Sequence, residues 1–330
     1  MEQNGTTCTE IDSKAAYAML KELEDVYILI HRSPDGDCIG CGYALHRILL
    51  NLGIRSRVVC AEPIPALYND ITKDVTFEDF QPKMFISADV ADRKLLGDLP
   101  EELKEHEILL CIDHHISNTH YAKNLYWNPH SSAACEVLFR LMKDNGIPLT
   151  RETALCLYVG IATDTGCFQF SNADADAFEA VGEIKRAFPD LPYARLNREL
   201  FVLKSQGRLR LDAKLMQDIR ISESGKTALI YLPYALMQRY RLSADEVDGV
   251  ANLPMQIWGV EVGITVKQQE DGSCRVSLRG GDHADVSAIA QHFGGGGHVK
   301  ASGCSFHEGE PEDICRMLTD VSEEMLKAWI

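Results

Sequence analysis

Short apolar runs alternate with longer amphipathic ones through the first half of the chain, and the alternation predicts strands and helices in turn. Residues 26–30, 55–60, 83–87 and 108–112 read as strands, and Ile108-Leu109-Leu110-Cys111-Ile112 has the unbroken apolar character of a buried parallel strand. Between them, residues 13–25 carry helical spacing with Tyr17, Leu20 and Leu23 on one face, and residues 38–52 form a helix closed by Gly53. A third helix runs to Lys143, with Ser131 or Ser132 as its cap and Glu136 in its early turns. Residues 150–163 form an apolar fourth helix. Strands that alternate with helices argue for an α/β fold, a doubly wound parallel sheet with helices on both faces.

The pattern changes after about residue 172. It becomes long, helical and charged, is punctuated by Pro189 and Pro192, and continues into a connecting helix over 195–218. Beyond it, residues 228–232, 260–267 and 273–278 are strand-like, the last two joined by the turn Glu270-Asp271-Gly272. A glycine-rich loop at 294–297 and a terminal helix over 309–330 complete the chain. The expected organisation is a catalytic domain at 1–185, a helical linker at 186–218 and a smaller α/β domain with a mixed sheet at 219–330.

Composition narrows the class. The 330 residues carry a net charge of -16, which argues against a surface built to grip long nucleic acid. No run has the length of a membrane span, and residues 1–12 are polar and acidic without an apolar signal segment. Eleven scattered cysteines then fit reduced thiols in a cytoplasmic protein. Cys38 and Cys41 form a Cys-x-x-Cys pair, but no second pair has matching spacing, and both sit on a helix where small buried residues are expected.

The chemistry lies where the apolar runs end. His31, Asp35 and Asp37 follow the first strand, Asp89 a later one, Asp113-His114-His115 the run at 108–112, and Asp164 the run at 150–163; the reading sets them at four strand ends. In an open parallel sheet such ends converge on one edge, where ligands bind. One aspartate after a strand is an ordinary helix cap, but capping does not explain four such positions together with adjacent imidazoles. Mixed imidazole and carboxylate donors suit manganese better than a thiolate-loving metal, with zinc, iron and cobalt also compatible. Four carboxylates beside neutral histidines balance two divalent cations, an arrangement suited to phosphoryl chemistry.

The stretches His31-Arg32-Ser33-Pro34-Asp35-Gly36-Asp37, Asp89, Asp113-His114-His115 and Gly160-Ile161-Ala162-Thr163-Asp164-Thr165-Gly166 resemble the four motifs of the DHH phosphoesterase superfamily. Phe293-Gly294-Gly295-Gly296-Gly297-His298-Val299-Lys300-Ala301-Ser302-Gly303 resembles the signature of the DHH-associated C-terminal domain. Order and spacing match over nearly the whole chain, and the length resembles the stand-alone, NrnA-type subgroup. The resemblance implies two manganese ions per chain, His31 and Asp35 on one, Asp37, His114 and Asp164 on the other, and Asp89 bridging them. Asp113 would orient an imidazole, and His115 would contact the scissile phosphate or assist proton transfer. It further implies in-line attack on phosphorus by a hydroxide shared by the cations. Arg279, Gly295, Gly296, Gly297, His298 and Ser302 would bind substrate.

The implied substrates are short: 5'-phosphorylated di- and oligoribonucleotides, with 3'-phosphatase activity on adenosine 3',5'-bisphosphate (pAp). No long nucleic acid and no membrane is expected as a partner, and relatives suggest a homodimer. The alternatives are a cyclic-di-AMP or pApA phosphodiesterase and a catalytically inactive nucleotide sensor. Relatives carry a basic residue within 166–170, where this chain has Cys167 and Gln169, so substrate preference stays open. Phe168 and Phe170 are either core or a stacking platform, and His283, His292 and His307 are read as structural or surface residues.

Overall fold

The structure is a computed structural model that describes residues 8–99, 103, 106–242, 246–247 and 249–329. The chain divides into two compact units, the first ending at Leu203 and the second beginning at Lys204.

The first unit is built on a six-stranded sheet of β1 (Thr9–Glu10), β2 (Val26–Leu29), β3 (Ser56–Val59), β4 (Met84–Ala88), β5 (Ile108–Asp113) and β6 (Asn124–Trp127). Its order is β1-β6-β5-β4-β2-β3, and every pairing is parallel. β2 continues outward to β3, whereas β4 returns to the other side of β2, so the order reverses at β2/β4. That crevice is where open α/β sheets place their sites.

Helices α1 (Ser13–Lys21), α2 (Gly36–Asn51), α3 (Ala134–Asp144), α4 (Arg151–Asp164) and α5 (Ala175–Ala187) accompany this sheet. α2 is apolar nearly all round and correspondingly buried from Gly36 to His46. It packs closely on α4 because both helices present glycine at the contact. A Cβ on Gly160 would lie 2.2 Å from Cys135 Sγ and 2.8 Å from Asp37 Oδ1, and one on Gly40 would lie 2.6 Å from the Cys156 carbonyl. The opposite sheet face is covered by Val90, Leu96, Leu99 and Ala122 packed on Leu29, Phe85, Ile108, Cys111 and Leu125.

The second unit begins with α6 (Gln206–Gln217) and holds a mixed sheet of order β11-β12-β10-β9-β8-β7. Its members are β7 (Arg220–Ile221), β8 (Thr227–Leu232), β9 (Val262–Gln268), β10 (Cys274–Gly280), β11 (Gly296–His298) and β12 (Ala301–Phe306). Only β8 and β9 pair in parallel. α7 (Tyr234–Tyr240) follows β8, and α8 (Val286–His292) and α9 (Pro311–Trp329) close an apolar core against Val262, Ile264, Val266, Val276 and Leu278.

Four expectations are corrected. The connecting helix over 195–218 is not continuous: Leu203 is extended, and α6 starts afresh with the Ser205 hydroxyl accepting from Arg208 N. Neither Ser131 nor Ser132 caps α3, whose N-cap is Ala133. Asp37, 97 residues earlier, accepts from Ala134 N at 2.6 Å and Cys135 N at 2.9 Å. The run ending at Asp164 is the helix expected over 150–163, so grouping that aspartate with the strand ends is what is corrected. The glycine-rich segment is not all loop, since Gly296–His298 pairs with β12 as an edge strand. Glycine is required there because a Cβ on Gly295 would lie 2.2 Å from the Gly303 carbonyl, and Gly297 holds φ of 140°.

Candidate metal centre

Three adjacent parallel strands deliver most of the site. β2, β4 and β5 end on the same edge, with His31 just past β2, Asp89 one residue past β4 and Asp113-His114-His115 at the end of β5. α2 starts from the loop after β2, and its first turn brings Asp37 inward. α4, held against α2 by the glycine contact, ends at Asp164 beside it.

Asp89 lies at the centre. It is buried, its backbone sits in the left-handed region at φ 58°, and its N–H donates to the Ile112 carbonyl at 2.9 Å. A non-glycine residue held there is strained, and such strain is retained where surrounding structure fixes the side chain's direction. The two carboxylate oxygens face two different groups. Oδ2 is 3.7 Å from His31 Nε2, which is also 3.6 Å from Asp35 Oδ2. Oδ1 is 3.5 Å from His114 Nε2, which lies 3.4 Å from Asp164 Oδ2 and 3.9 Å from Asp37 Oδ2. Asp89 Oδ1 has no hydrogen-bond partner although it is buried. A carboxylate oxygen left in that position costs free energy unless a cation or donor meets it.

The surrounding bonds aim the donors inward. His114 Nδ1 lies 3.0 Å from the Ser131 carbonyl, so that nitrogen carries a proton and Nε2 is the nitrogen turned to the carboxylates. Asp35 Oδ1 caps α2 through Asp37 N and Cys38 N, which leaves Oδ2 toward His31. Burial, and next the Asp89 charge, push the Asp37 carboxyl up to about 7. Burial and the Asp37 charge do the same for Asp164, also to about 7. Burial raises Asp89 too, against the lowering effect of His31. Buried carboxylates that repel one another are what a bound cation neutralises. Ligand atoms of His31, Asp35 and Asp89 lie within 4.8 Å of one another, as do those of Asp37, His114 and Asp164.

Asp113 is fully buried, and the His115 Nδ1 it holds also lies 3.3 Å from Asp89 Oδ1. Asp113 Oδ1 accepts from His114 N and from His115 Nδ1, both at 2.8 Å, and its Oδ2 accepts from Asn118 Nδ2 at 2.6 Å. His115 therefore turns its Nε2 away from Asp113; burial lowers its pKa, but the hydrogen bond to Asp113 and the charges of Asp89, Asp113 and Asp164 together raise it to about 9. Nothing in the sequence marked Asn118, whose importance depends on a turn that returns it to Asp113. The Cys38 thiol lies near the His31 group but donates to the Asp35 carbonyl at 3.6 Å, and burial holds it protonated. All eleven cysteines are free. Phe168 packs against Phe178 in a tilted pair with centroids 4.7 Å apart, while Phe170 is exposed.

In the second unit, strand register decides which candidates share a face. Arg279 pairs with Gly263 and Ala301, and Ala301 pairs with His298, so Arg279 and His298 stand on one face in one cross-strand row. Ser302 belongs to the next row with Leu278 and faces the α8 side, its hydroxyl donating to the His298 carbonyl at 2.7 Å. Gly295, Gly296 and Gly297 form the edge hairpin. Arg279 is oriented by Nε donating to Asn252 Oδ1 at 3.0 Å and Nη1 to the Leu278 carbonyl at 3.1 Å. Asn252, too, was invisible to sequence spacing.

Both halves match known families. Residues 25–161 match the DHH family N-terminal domain and residues 229–327 the DHHA1 domain. The chain thus carries a DHH family N-terminal domain followed by a DHHA1 domain. It is similar to a probable bifunctional oligoribonuclease and PAP phosphatase NrnA of Streptococcus mutans, 28% identical and covering 93% of this chain and 98% of that protein. The bifunctional oligoribonuclease and PAP phosphatase NrnA of Thermus thermophilus is 26% identical, covering 94% and 93%. An exopolyphosphatase-related protein from Bacteroides fragilis shares the fold with a TM-score of 0.82, at 22% identity and 96% coverage of both chains. Among the described residues, no helix is long and apolar enough to cross a membrane.

Proposed function

We propose that this protein is a two-metal phosphohydrolase of short ribonucleotides, acting on 5'-phosphorylated di- and oligoribonucleotides and on pAp. The observation that carries the reading is the pair of donor groups set on either side of Asp89, one oxygen toward each, with Oδ1 otherwise unsatisfied. His31 and Asp35 would hold one cation, Asp37, His114 and Asp164 the other, and Asp89 both. The imidazole-carboxylate donor set favours manganese. Two such cations, when bound, supply an activated water and neutralise charge on the phosphoryl group.

The chain's own residues do the rest. Asp113 holds His115 by its Nδ1–H and leaves Nε2 free to contact a phosphate oxygen or pass a proton to the leaving oxygen. Arg279, its guanidinium fixed by Asn252, retains free N–H donors for a phosphate, and His298 stands in the same row. The glycine hairpin keeps bulk away from that row. The names of the Streptococcus and Thermus relatives support the substrate class.

A panel with added manganese tests the proposal: pApA, a 5'-phosphorylated RNA 5-mer, pAp, cyclic-di-AMP, a long single-stranded DNA and pyrophosphate. Release of AMP from pApA and the 5-mer, with phosphate from pAp, is the expected result. Turnover of cyclic-di-AMP and pApA alone would move the assignment to a dinucleotide phosphodiesterase. Tight nucleotide binding without turnover would make the protein a sensor.

A further inference from the structure

The register of the second sheet sorts its side chains into two faces. Val262, Ile264, Val266, Cys274, Val276, Leu278 and Cys304 pack toward α8 and α9. The other face is covered at β8, where Ile230 and Leu232 pack on Leu211 and Leu215 of α6. Over β10 and β12 it stays open, with Arg275, Ala301 and Ser305 exposed.

That open face is polar and small-residued between two sets of nitrogen donors. One end is the row of Arg279 and His298. The other is the row in which Arg275 pairs with Lys267 on one side and Ser305 on the other. Ser277 and Gly303 lie between the rows. Arg275 and Lys267 are like charges directly opposite on antiparallel strands, a destabilising arrangement. Among the described residues neither makes a protein ion pair or side-chain hydrogen bond, whereas Lys214, Arg220 and Arg316 in the same unit are each paired with a carboxylate. Arg275 also lines an open cavity of ≈ 670 Å³ with Gln269, Ser273, Ser305 and His307. Glu270 and Asp271 line the same cavity, and Asp271 Oδ1 is engaged by Ser273. Two unneutralised cations side by side, in a chain of net charge -16, mark a place for an anion.

We propose that this open face is a second phosphate-binding point for a single-stranded oligoribonucleotide, with Arg275 and Lys267 gripping a backbone phosphate beyond the one met by Arg279. Four residue steps along β10 separate the two arginines, about 13 Å along a strand, which is longer than one internucleotide step. Substrates of several nucleotides reach both points; pAp and a dinucleotide reach one. The inference rests on the short-ribonucleotide reading and adds a length-dependent contact to it.

Fluorescence anisotropy of labelled 5'-phosphorylated RNA 5-mer and pApA in EDTA, over a salt series, tests it on the full chain. Lys267→Ala/Arg275→Ala should lower the ratio of 5-mer to pApA affinity roughly ten-fold and flatten the salt slope for the 5-mer by about 1. Arg275→Lys, which keeps the charge, should retain most of the ratio. An unchanged ratio, or equal weakening of both ligands, overturns the second binding point while leaving the short-ribonucleotide reading intact. A wild-type protein that binds neither ligand in EDTA overturns the second binding point, and one that also binds neither when manganese is added overturns both.

Discussion

The metal edge of the first unit and the open face of the second are organised by different physics. At the first, buried carboxylates and imidazoles are held by backbone. Asp37 caps α3, Asp35 caps α2, and His114 donates to a carbonyl. At the second, donors stand exposed on a sheet, positioned by strand register and by single bonds such as Asn252 to Arg279. A buried site is over-determined, so its electrostatic conflict is built in and is relieved by a bound cation or by protonation. An exposed face is under-determined and takes flexible, anionic chains of varied length. Damage should therefore be absolute at the first and graded at the second.

The largest effect is expected for Asp89→Ala, which removes the group between the two donor sets. Steady-state assays should find turnover lost for every substrate at any concentration. Retained turnover on any of them would sink the bridging role.

Next comes stability against pH in the metal-free protein. Asp37 and Asp164 have folded pKa values near 7, above the ordinary carboxylate value, so the folded state binds more protons than the unfolded one between about 4 and 7. Stability from these groups is therefore lost as pH rises through that window. His31 and His115, raised to about 10 and about 9, carry the same sign from about 6.5 upward. Buried His46, pulled down to about 4 by desolvation, opposes them, gaining stability as pH rises toward 6.5, and carboxylates held low by their partners, such as Asp35 and Asp113, oppose them at the acid end. Thermal melts in EDTA should show Tm falling from pH 5 to pH 8, and saturating manganese should reverse the trend. A rising Tm in EDTA would contradict the account.

Asn118→Ala should follow, lowering kcat about 10- to 100-fold by releasing Asp113 and thus His115, with the metal ligands themselves untouched. Loss of bound manganese in that variant would show it to be a support of the metal site instead. Arg279→Ala should raise KM with kcat changed less, and Asn252→Ala should do the same more weakly, because only the arginine's orientation is released. Equal losses of kcat and kcat/KM would place Arg279 in the chemistry rather than in binding.

The chain's periodicity made the strands at β2, β4 and β5 legible, and with them His31, Asp89 and His114, because apolar runs ending in ligand-type side chains are local signals. β6 was missed because its short Asn124–Trp127 run lies in a segment that reads as loop. Strand order was equally hidden, since which parallel strands adjoin is a long-range property. The same holds for Asp37 capping a helix 97 residues away and for Asn118 folding back on Asp113. The glycines at 294–297 were visible as glycines, but their strand pairing depends on Ala301–Phe306 lying alongside. The pairing of Arg275 with Lys267 follows from a hairpin whose register one residue of slip would invert.

The most direct test of the central claim is a manganese titration of the full chain by calorimetry, with electron paramagnetic resonance on the same samples. The account predicts two ions per chain with magnetically coupled spectra in the wild type, and loss of that coupling in Asp89→Ala. A single isolated ion at saturation, or a coupled pair that survives Asp89→Ala, would contradict it.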